Sequence, residues 1–270
     1  MTQSHTFAEL VAEGTAEPVE GWDFSWFEGR ATEERPAWGY SGLLSQRLGG
    51  AGAALDIQTG GGEVLAGALR GESGGRPAGQ TPPARPSLPG TVAATESWPP
   101  NAVLARRALA PFGGAVVRAD DVGGLPFATG TFDLVVSRHP TVAVWPEIAR
   151  VLTPGGTYLS QQVGAGSNRE LTDFMMGPQP VDPGRSTDCA TAEGHAAGLE
   201  VTDLREQALR VEFFDVGAVV YFLRKVLWTV PGFTVPGYAG PIARMHAHIG
   251  EHGSFVCHAQ RFLIEVRKPG

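Results

Sequence analysis

The sequence predicts an α/β protein built on a doubly wound, mostly parallel sheet, and three observations carry that prediction. Short apolar runs suited to buried strands alternate with stretches of helical periodicity between about residues 53 and 163. An uninterrupted run of glycines, Gly60 to Gly62, separates the first of those strands from its helix. Carboxylates stand where the strands end, at the edge where open α/β sheets bind ligands.

Residues 1–50 read as short helices and loops that form an N-terminal cap. FAELVAEG has helical spacing, and SGLLSQRLGG reads as a helix ending at glycine. Between them, WDFSWFEGRATEERPAWGY brings together Trp22, Phe24, Trp26, Phe27, Trp38 and Tyr40, rings that either dock the cap or wall a substrate site. AALDIQ is then a buried strand, and GGGEVLAGALR a glycine turn leading into a helix. Residues 71–90 are too rich in Gly and Pro for regular structure and read as an inserted loop. TVAATE is a second strand, PNAVLARRALAPF a helix with Pro near its start, GAVVRAD a third strand and TFDLVVS a fourth. WPEIARVLTPGG is expected to be a helix stopped by Pro154 and the glycines after it, with TYLSQQVG the fifth strand. Farther on, LEVTDLREQALRVEFF and SFVCHAQRFLIEVRK read as long strands flanking the helical DVGAVVYFLRKVLW and the turn-rich TVPGFTVPGYAGP. The expected organisation is a cap over 1–50 and one α/β domain over 51–270, with 213–250 inserted on the substrate side.

Composition limits the function. Hydrophobic residues make up 42% and charged residues 18%, the balance of a globular protein, and the net charge of −7 argues against binding a nucleic acid backbone. The N-terminus lacks a basic start followed by an apolar core, and no uncharged apolar run is long enough to span a bilayer, so a cytoplasmic protein without membrane contact is expected. Two cysteines, Cys189 and Cys257, provide neither a disulfide framework nor a CxxC pair.

The chemistry concentrates in ALDIQTGGGE, residues 54–63. An acid ends an apolar strand, and glycines then give the backbone the conformational freedom and close approach that a bound nucleoside needs. The GxGxxG spacing of nicotinamide-binding units is absent, because Gln58 and Thr59 precede Gly60-Gly61-Gly62. Three further features fall where such a site needs them. Glu96 ends the second strand, where a carboxylate can accept both ribose hydroxyls; Asp121 follows the third, placed to accept from an adenine amine; and Ser137-Arg138-His139-Pro140 follows the fourth.

Together, ALDIQTGGGE, ADDVGGLPFATGTFDLVVSRH and EIARVLTPGGTYLSQQVG resemble the glycine, acidic-loop and RVLxPGG motifs of class I S-adenosylmethionine-dependent methyltransferases, most closely the bacterial methyltransferase-11, ubiquinone/menaquinone-methyltransferase-like group, over about residues 50–165. The resemblance implies a Rossmann-like, seven-stranded sheet with a reversed last strand supplied by the C-terminal strands. It implies S-adenosyl-L-methionine as cofactor and S-adenosyl-L-homocysteine as product. Asp56 and Gly60 would line the methionine end, with Gln58 and Thr59 in the same turn, and Gly62 would let the helix pack. Glu96 would hold the ribose, Asp121 and Val122 the adenine, and Ser137 and Arg138 would flank the methionine moiety. One departure stands out: Gln58 replaces the family's first glycine, and its side chain must either crowd the cofactor or hydrogen-bond it.

Methyl transfer from a sulfonium is an in-line displacement, so alignment and exclusion of water come first, and a base is needed only where the acceptor must lose a proton. His139, just past the fourth strand, is the candidate base. The small organic acceptor is expected to meet aromatic residues of the cap and of the inserted segment, Trp26, Tyr221 and Trp228 among them. MHAHIGEH places His246, His248 and His252 at helical spacing near His258, but no matching acid–histidine or cysteine pair accompanies them, so no metal is expected. The additions at either end are candidate homodimer surfaces. Two other readings compete. Nucleobase methylation is disfavoured because Ser137-Arg138-His139-Pro140 is not the Asn/Asp-Pro-Pro-aromatic tetrad that grips a flipped base. The other is a cofactor-binding protein that transfers no methyl group.

Overall fold

A computed structural model describes residues 5–19, 24–72 and 88–270; Trp22 and most of the 71–90 stretch lie outside the described residues. In chain order the elements begin α1 (Phe7–Ala16), β1 (Ala31–Glu33), α2 (Tyr40–Leu48), β2 (Ala53–Asp56), α3 (Glu63–Leu69), β3 (Thr91–Glu96), α4 (Pro99–Leu109), β4 (Ala115–Arg118) and β5 (Phe132–Arg138). They continue α5 (Trp145–Val151), β6 (Leu152–Val163), α6 (Arg169–Met176), α7 (Thr187–Ala196), β7 (Glu200–Phe213), α8 (Val216–Lys225), α9 (Ala239–His252) and β8 (Phe255–Arg267). The strand order is β1-β7-β8-β6-β5-β2-β3-β4. From β4 through β3, β2 and β5 to β6 the pairing is parallel, and β8 runs antiparallel to β6, which supplies the reversed last strand.

The chain divides into two units, one of residues 36–163, 184–206 and 261–270 and the other of residues 1–35, 164–183 and 207–260. In the first, alternation along the strands feeds two separate cores. Leu55 and Val135 join Trp145, Ile148 and Ala190 on one face of the sheet. Ala54, Leu134 and Val136 join Leu44, Leu48, Leu65 and Leu109 on the other. Helices therefore cover both faces, as a parallel sheet requires because its crossovers must pass over it. The Arg47 guanidinium makes paired hydrogen bonds of 2.8 Å to the buried Glu265 carboxylate and so ties α2 to β8.

In the other unit, α1 and α8 meet through glycines. A Cβ on Gly14 would lie 2.3 Å from the Gly217 carbonyl oxygen, and one on Gly217 would lie 2.5 Å from that of Leu10. Arg30 bridges the same junction, pairing with Glu13 of α1 at 2.9 Å and with Asp215, the N-cap of α8, at 2.8 Å. Leu10, Val216, Val219, Val220, Met245 and Phe255 fill the core behind it.

Two expectations need correction. The sheet has eight strands where seven were expected. The extra one, Ala31-Thr32-Glu33, is too short and polar to show a strand pattern, and it joins the edge by backbone pairing to β7. The helix expected over WPEIARVLTPGG ends at Val151, and Leu152–Gly156 begin β6. Backbone pairing explains this: Leu152 faces Phe132, Gly155 N–H donates to Lys268 O, and Lys268 N–H donates to Gly156 O. Helices α6 and α7 were not foreseen. Among the described residues no helix is long and apolar enough to cross a membrane.

Gly217→Ala should drive α1 and α8 apart and destabilise their unit by about 1–3 kcal/mol. Thermal unfolding checks this: Gly217→Ala should lower the midpoint, and an unchanged midpoint would mean that the helix junction contributes nothing to stability.

Candidate functional site

Strand β2 continues to β3 and β4 on one side, whereas β5 and β6 lie on its other side. The winding reverses between β2 and β5, and the loops leaving their carboxyl ends diverge to open a crevice. Ile57, Gln58, Thr95, Asp121, Pro140 and Val142 line it.

The glycine turn is built as the sequence suggests. Gly60 and Gly62 have φ of +64° and +77°, where a side chain is disfavoured. A Cβ at Gly62 would lie 3.0 Å from Ala105 Cα, so its absence lets α3 pack on α4. Above Gly60 the space is open, with no atom within 4 Å of where a Cβ would stand. Glu96, buried at the end of β3, accepts from Gly60 N–H at 2.8 Å and from Trp98 N–H at 2.9 Å. A carboxylate has about four acceptor positions, so these contacts leave capacity for a ribose hydroxyl. Burial raises the Glu96 pKa, and those backbone donors partly offset it.

Asp56 ends β2 and is buried, accepting from Thr59 Oγ1 at 2.6 Å. Desolvation lifts its pKa to about 7 against the pull of that hydrogen bond. Thr59 N–H donates to Thr95 O at 2.9 Å, which fixes the turn on β3. Gln58 sits in left-handed backbone at φ +56°. Its amide crosses the crevice: Nε2 donates to Val142 O at 2.8 Å, and Oε1 accepts from Thr141 N–H at 2.6 Å and from Thr141 Oγ1 at 3.0 Å. Thr141 Oγ1 also lies 2.8 Å from Asp121 Oδ2, so a single chain of contacts links the β2 turn, the loop after β5 and the loop after β4. Val122 is 77% exposed beside Asp121.

At the end of β5, the Ser137 hydroxyl is committed to a buried network, 2.7 Å from Tyr158 OH and 2.9 Å from Ser160 Oγ. The Ser137 carbonyl accepts from Tyr40 OH at 2.9 Å. Arg138 is exposed. His139 has φ +54°, donates its N–H to Gln161 O at 2.7 Å, and sets Nε2 2.9 Å from Gln161 Nε2. Burial first, then the charges of Arg138 and Arg261, lower the His139 pKa to about 3. Hydrogen bonds thus join Asp56 to Thr59 and Gly60 to Glu96 around the glycine turn, and Gln58 and Asp121 line the crevice. Trp26 and Tyr221 meet in the other unit, edge to face at 5.0 Å, with the Arg30 guanidinium 4.0 Å over the Trp26 ring. Trp228, in that unit too, is 57% exposed. Sequence reasoning missed Thr95, Thr141 and Gln161, which act through contacts distant in sequence. His248 and His252 stack at 4.2 Å, His258 pairs with Glu170 at 2.6 Å, and no metal-holding group of His, Cys, Asp or Glu occurs among the described residues.

Residues 73–160 match the family model described as methyltransferase domain. The chain carries a class I methyltransferase domain. Its fold is similar to that of the YcgJ protein from Bacillus subtilis, at 16% identity and TM-score 0.57, over 85% of this chain and 98% of that one. A methyltransferase candidate from Bacillus halodurans C-125 aligns at 17% identity and TM-score 0.55, over 85% and 99%. A functionally unknown protein from Deinococcus radiodurans R1 aligns at 14% identity and TM-score 0.56, over 88% and 90%. No curated protein matches the chain. S-adenosylmethionine is the cofactor of this methyltransferase domain. The site fits its adenosyl part, on the open space above Gly60 and the remaining acceptor capacity of Glu96.

Two predictions follow from this geometry. Asp56 binds its proton more tightly folded, with a pKa of about 7, than unfolded, so its stabilising contribution is complete at low pH and is lost as pH rises through about 7. Asp56→Asn keeps a neutral side chain at every pH. It should be the more stable form at pH 8, by on the order of 4 kcal/mol at most, and near parity at pH 4. Denaturant titrations of both forms check this, and equal pH slopes would refute it. In Gln58→Gly the amide no longer spans the crevice, so a ligand need not first break those hydrogen bonds. Association of S-adenosylhomocysteine should accelerate roughly three- to tenfold by stopped-flow fluorescence. Slower association would make Gln58 part of the binding surface instead.

Proposed function

We propose that the protein transfers the methyl group of S-adenosylmethionine to a small organic acceptor at the crevice between β2 and β5. The observation that carries this reading is the pinned Glu96 carboxylate beside the open backbone of Gly60. In this reading Glu96 holds the ribose, Asp121 and Val122 meet the adenine, and Asp56, Thr59 and Gly60 border the methionine end. Gln58 lies beside them, and Gly62 serves by keeping α3 close to α4. Arg138 contributes positive charge where β5 ends, and Ser137 acts from within the core, holding the strand end through Tyr158 and Ser160.

Bound S-adenosylmethionine supplies an electrophilic methyl group on a sulfonium. The chain's own task is to orient and to keep water out. Ile57, Pro140 and Val142 give the crevice apolar walls, and the Gln58–Thr141 contact closes one side of it. The acceptor contacts proposed for Trp26, Tyr221 and Trp228 rest on the aromatic character of that segment; Arg30 already covers one face of Trp26. The net charge of −7 favours a small molecule over a nucleic acid as acceptor.

Isothermal titration should show S-adenosylmethionine and S-adenosylhomocysteine binding with micromolar affinity and NADH not binding. Glu96→Ala removes charge-assisted hydrogen bonds and should weaken both ligands about 10- to 100-fold. Full affinity in Glu96→Ala, or binding of NADH alone, would overturn the reading.

A further inference from the structure

An indole N–H can donate a hydrogen bond and cannot accept one. Trp38 Nε1 lies 2.8 Å from Gln161 Oε1, so that atom must be the amide oxygen. The other end of the amide is then the NH2 group, and it stands 2.9 Å from His139 Nε2. An amide nitrogen has only hydrogens to offer, so His139 Nε2 must present its lone pair, and the ring's single proton sits on Nδ1. Protonating Nε2 would set one N–H against another. The same glutamine also holds the histidine backbone, since His139 N–H donates to Gln161 O at 2.7 Å. Trp38, Gln161 and His139 all belong to the unit that contains the crevice.

We infer that His139 works as a neutral hydrogen-bond donor through Nδ1, and that Gln161 and Trp38 are positioning residues that fix this tautomer. The role of the donor rests on the methyl-transfer reading; the tautomer itself does not. With Nε2 engaged, the ring removes no proton from the acceptor. The suitable acceptor has a nucleophilic atom already free of its proton at working pH, such as a carboxylate or a heteroaromatic nitrogen. Burial and the charges of Arg138 and Arg261, which hold the ring well below the usual imidazolium range, act in the same direction. A proton-accepting His139, as the sequence alone suggests, makes the opposite forecast.

Nitrogen-15 NMR of the full chain with labelled histidine separates the two, with the His139 signals assigned by their loss in His139→Asn, since asparagine tolerates left-handed backbone. The wild type should show His139 as the Nδ1–H tautomer with no titration between pH 5 and pH 8. Gln161→Glu puts a carboxylate against Nε2 and should reverse the tautomer to Nε2–H and raise the ring's pKa by about one to three. Trp38→Phe, which frees the amide to turn over, should give a mixture of tautomers. Titration of wild-type His139 near neutral pH, or an Nε2–H tautomer in the wild type, would overturn the inference. These spectra need no ligand, so failure to bind S-adenosylmethionine would count against the methyl-transfer reading and leave the tautomer result standing.

Discussion

A parallel strand can be followed by its neighbour only after a crossover over one face of the sheet, and this constraint sets the place of the site. The chain winds from β2 outward to β4, then returns across the sheet to lay down β5 and β6 on the other side of β2. No crossover covers the edge between β2 and β5, and the loops that leave it carry the polar groups. Reaching that gap requires unusual backbone. Gln58 and His139 are two of the three non-glycine residues with positive φ among the described residues, and they stand at the ends of these two strands. Each such conformation costs roughly 1–2 kcal/mol, and it persists because hydrogen bonds of the same residue hold it: Gln58 N–H to Thr95 Oγ1, and His139 N–H to Gln161 O.

The crevice is also divided by charge. Asp56, Glu96 and Asp121 follow β2, β3 and β4, whereas Arg138 ends β5 and Arg261 starts the paired stretch of β8 opposite Val163. Register makes this division possible, because parallel strands present their carboxyl ends together and the antiparallel β8 brings the amino end of its paired segment to the same edge. Acids and bases are thus separated along one edge instead of neutralising one another, and each half keeps its own sign for a ligand.

The sequence made the strand and helix alternation, the glycine turn and its acids legible because each is a local pattern: apolar runs, glycines at fixed spacing, a carboxylate at a strand end. The unforeseen parts are relations between distant residues. Nothing local marks Gln58 as the partner of Thr141, 83 positions on, or Trp38 as the partner of Gln161, 123 positions on. The Pro154-Gly155-Gly156 stretch shows the same limit in secondary structure. Its composition stops a helix, and only pairing to Lys268 makes it the beginning of a strand. His139 was legible as a residue at the right place. Its ionisation was not, because burial, two arginines and the Gln161 amide determine it.

Asp56 and His139 show which charge the crevice favours. Burial pushes their affinities for protons in opposite directions, Asp56 up to about 7 and His139 down to about 3, so both groups favour their neutral forms over what exposed side chains would adopt. For His139 the neutral state is locked by a hydrogen bond. For Asp56 the one side-chain hydrogen bond from Thr59 leaves the desolvation of its charge largely uncompensated. A buried carboxylate in that condition gains from any cation placed beside it, and the gain grows as rising pH ionises the carboxylate. A ligand carrying positive charge near the glycine turn would therefore draw Asp56 to its ionised form on binding and release a proton. Nicotinamide dinucleotides bring their phosphates to such a turn and would meet repulsion from the same carboxylate. The chemistry of one uncompensated acid thus favours a sulfonium or ammonium over a pyrophosphate at a turn whose backbone alone does not distinguish them.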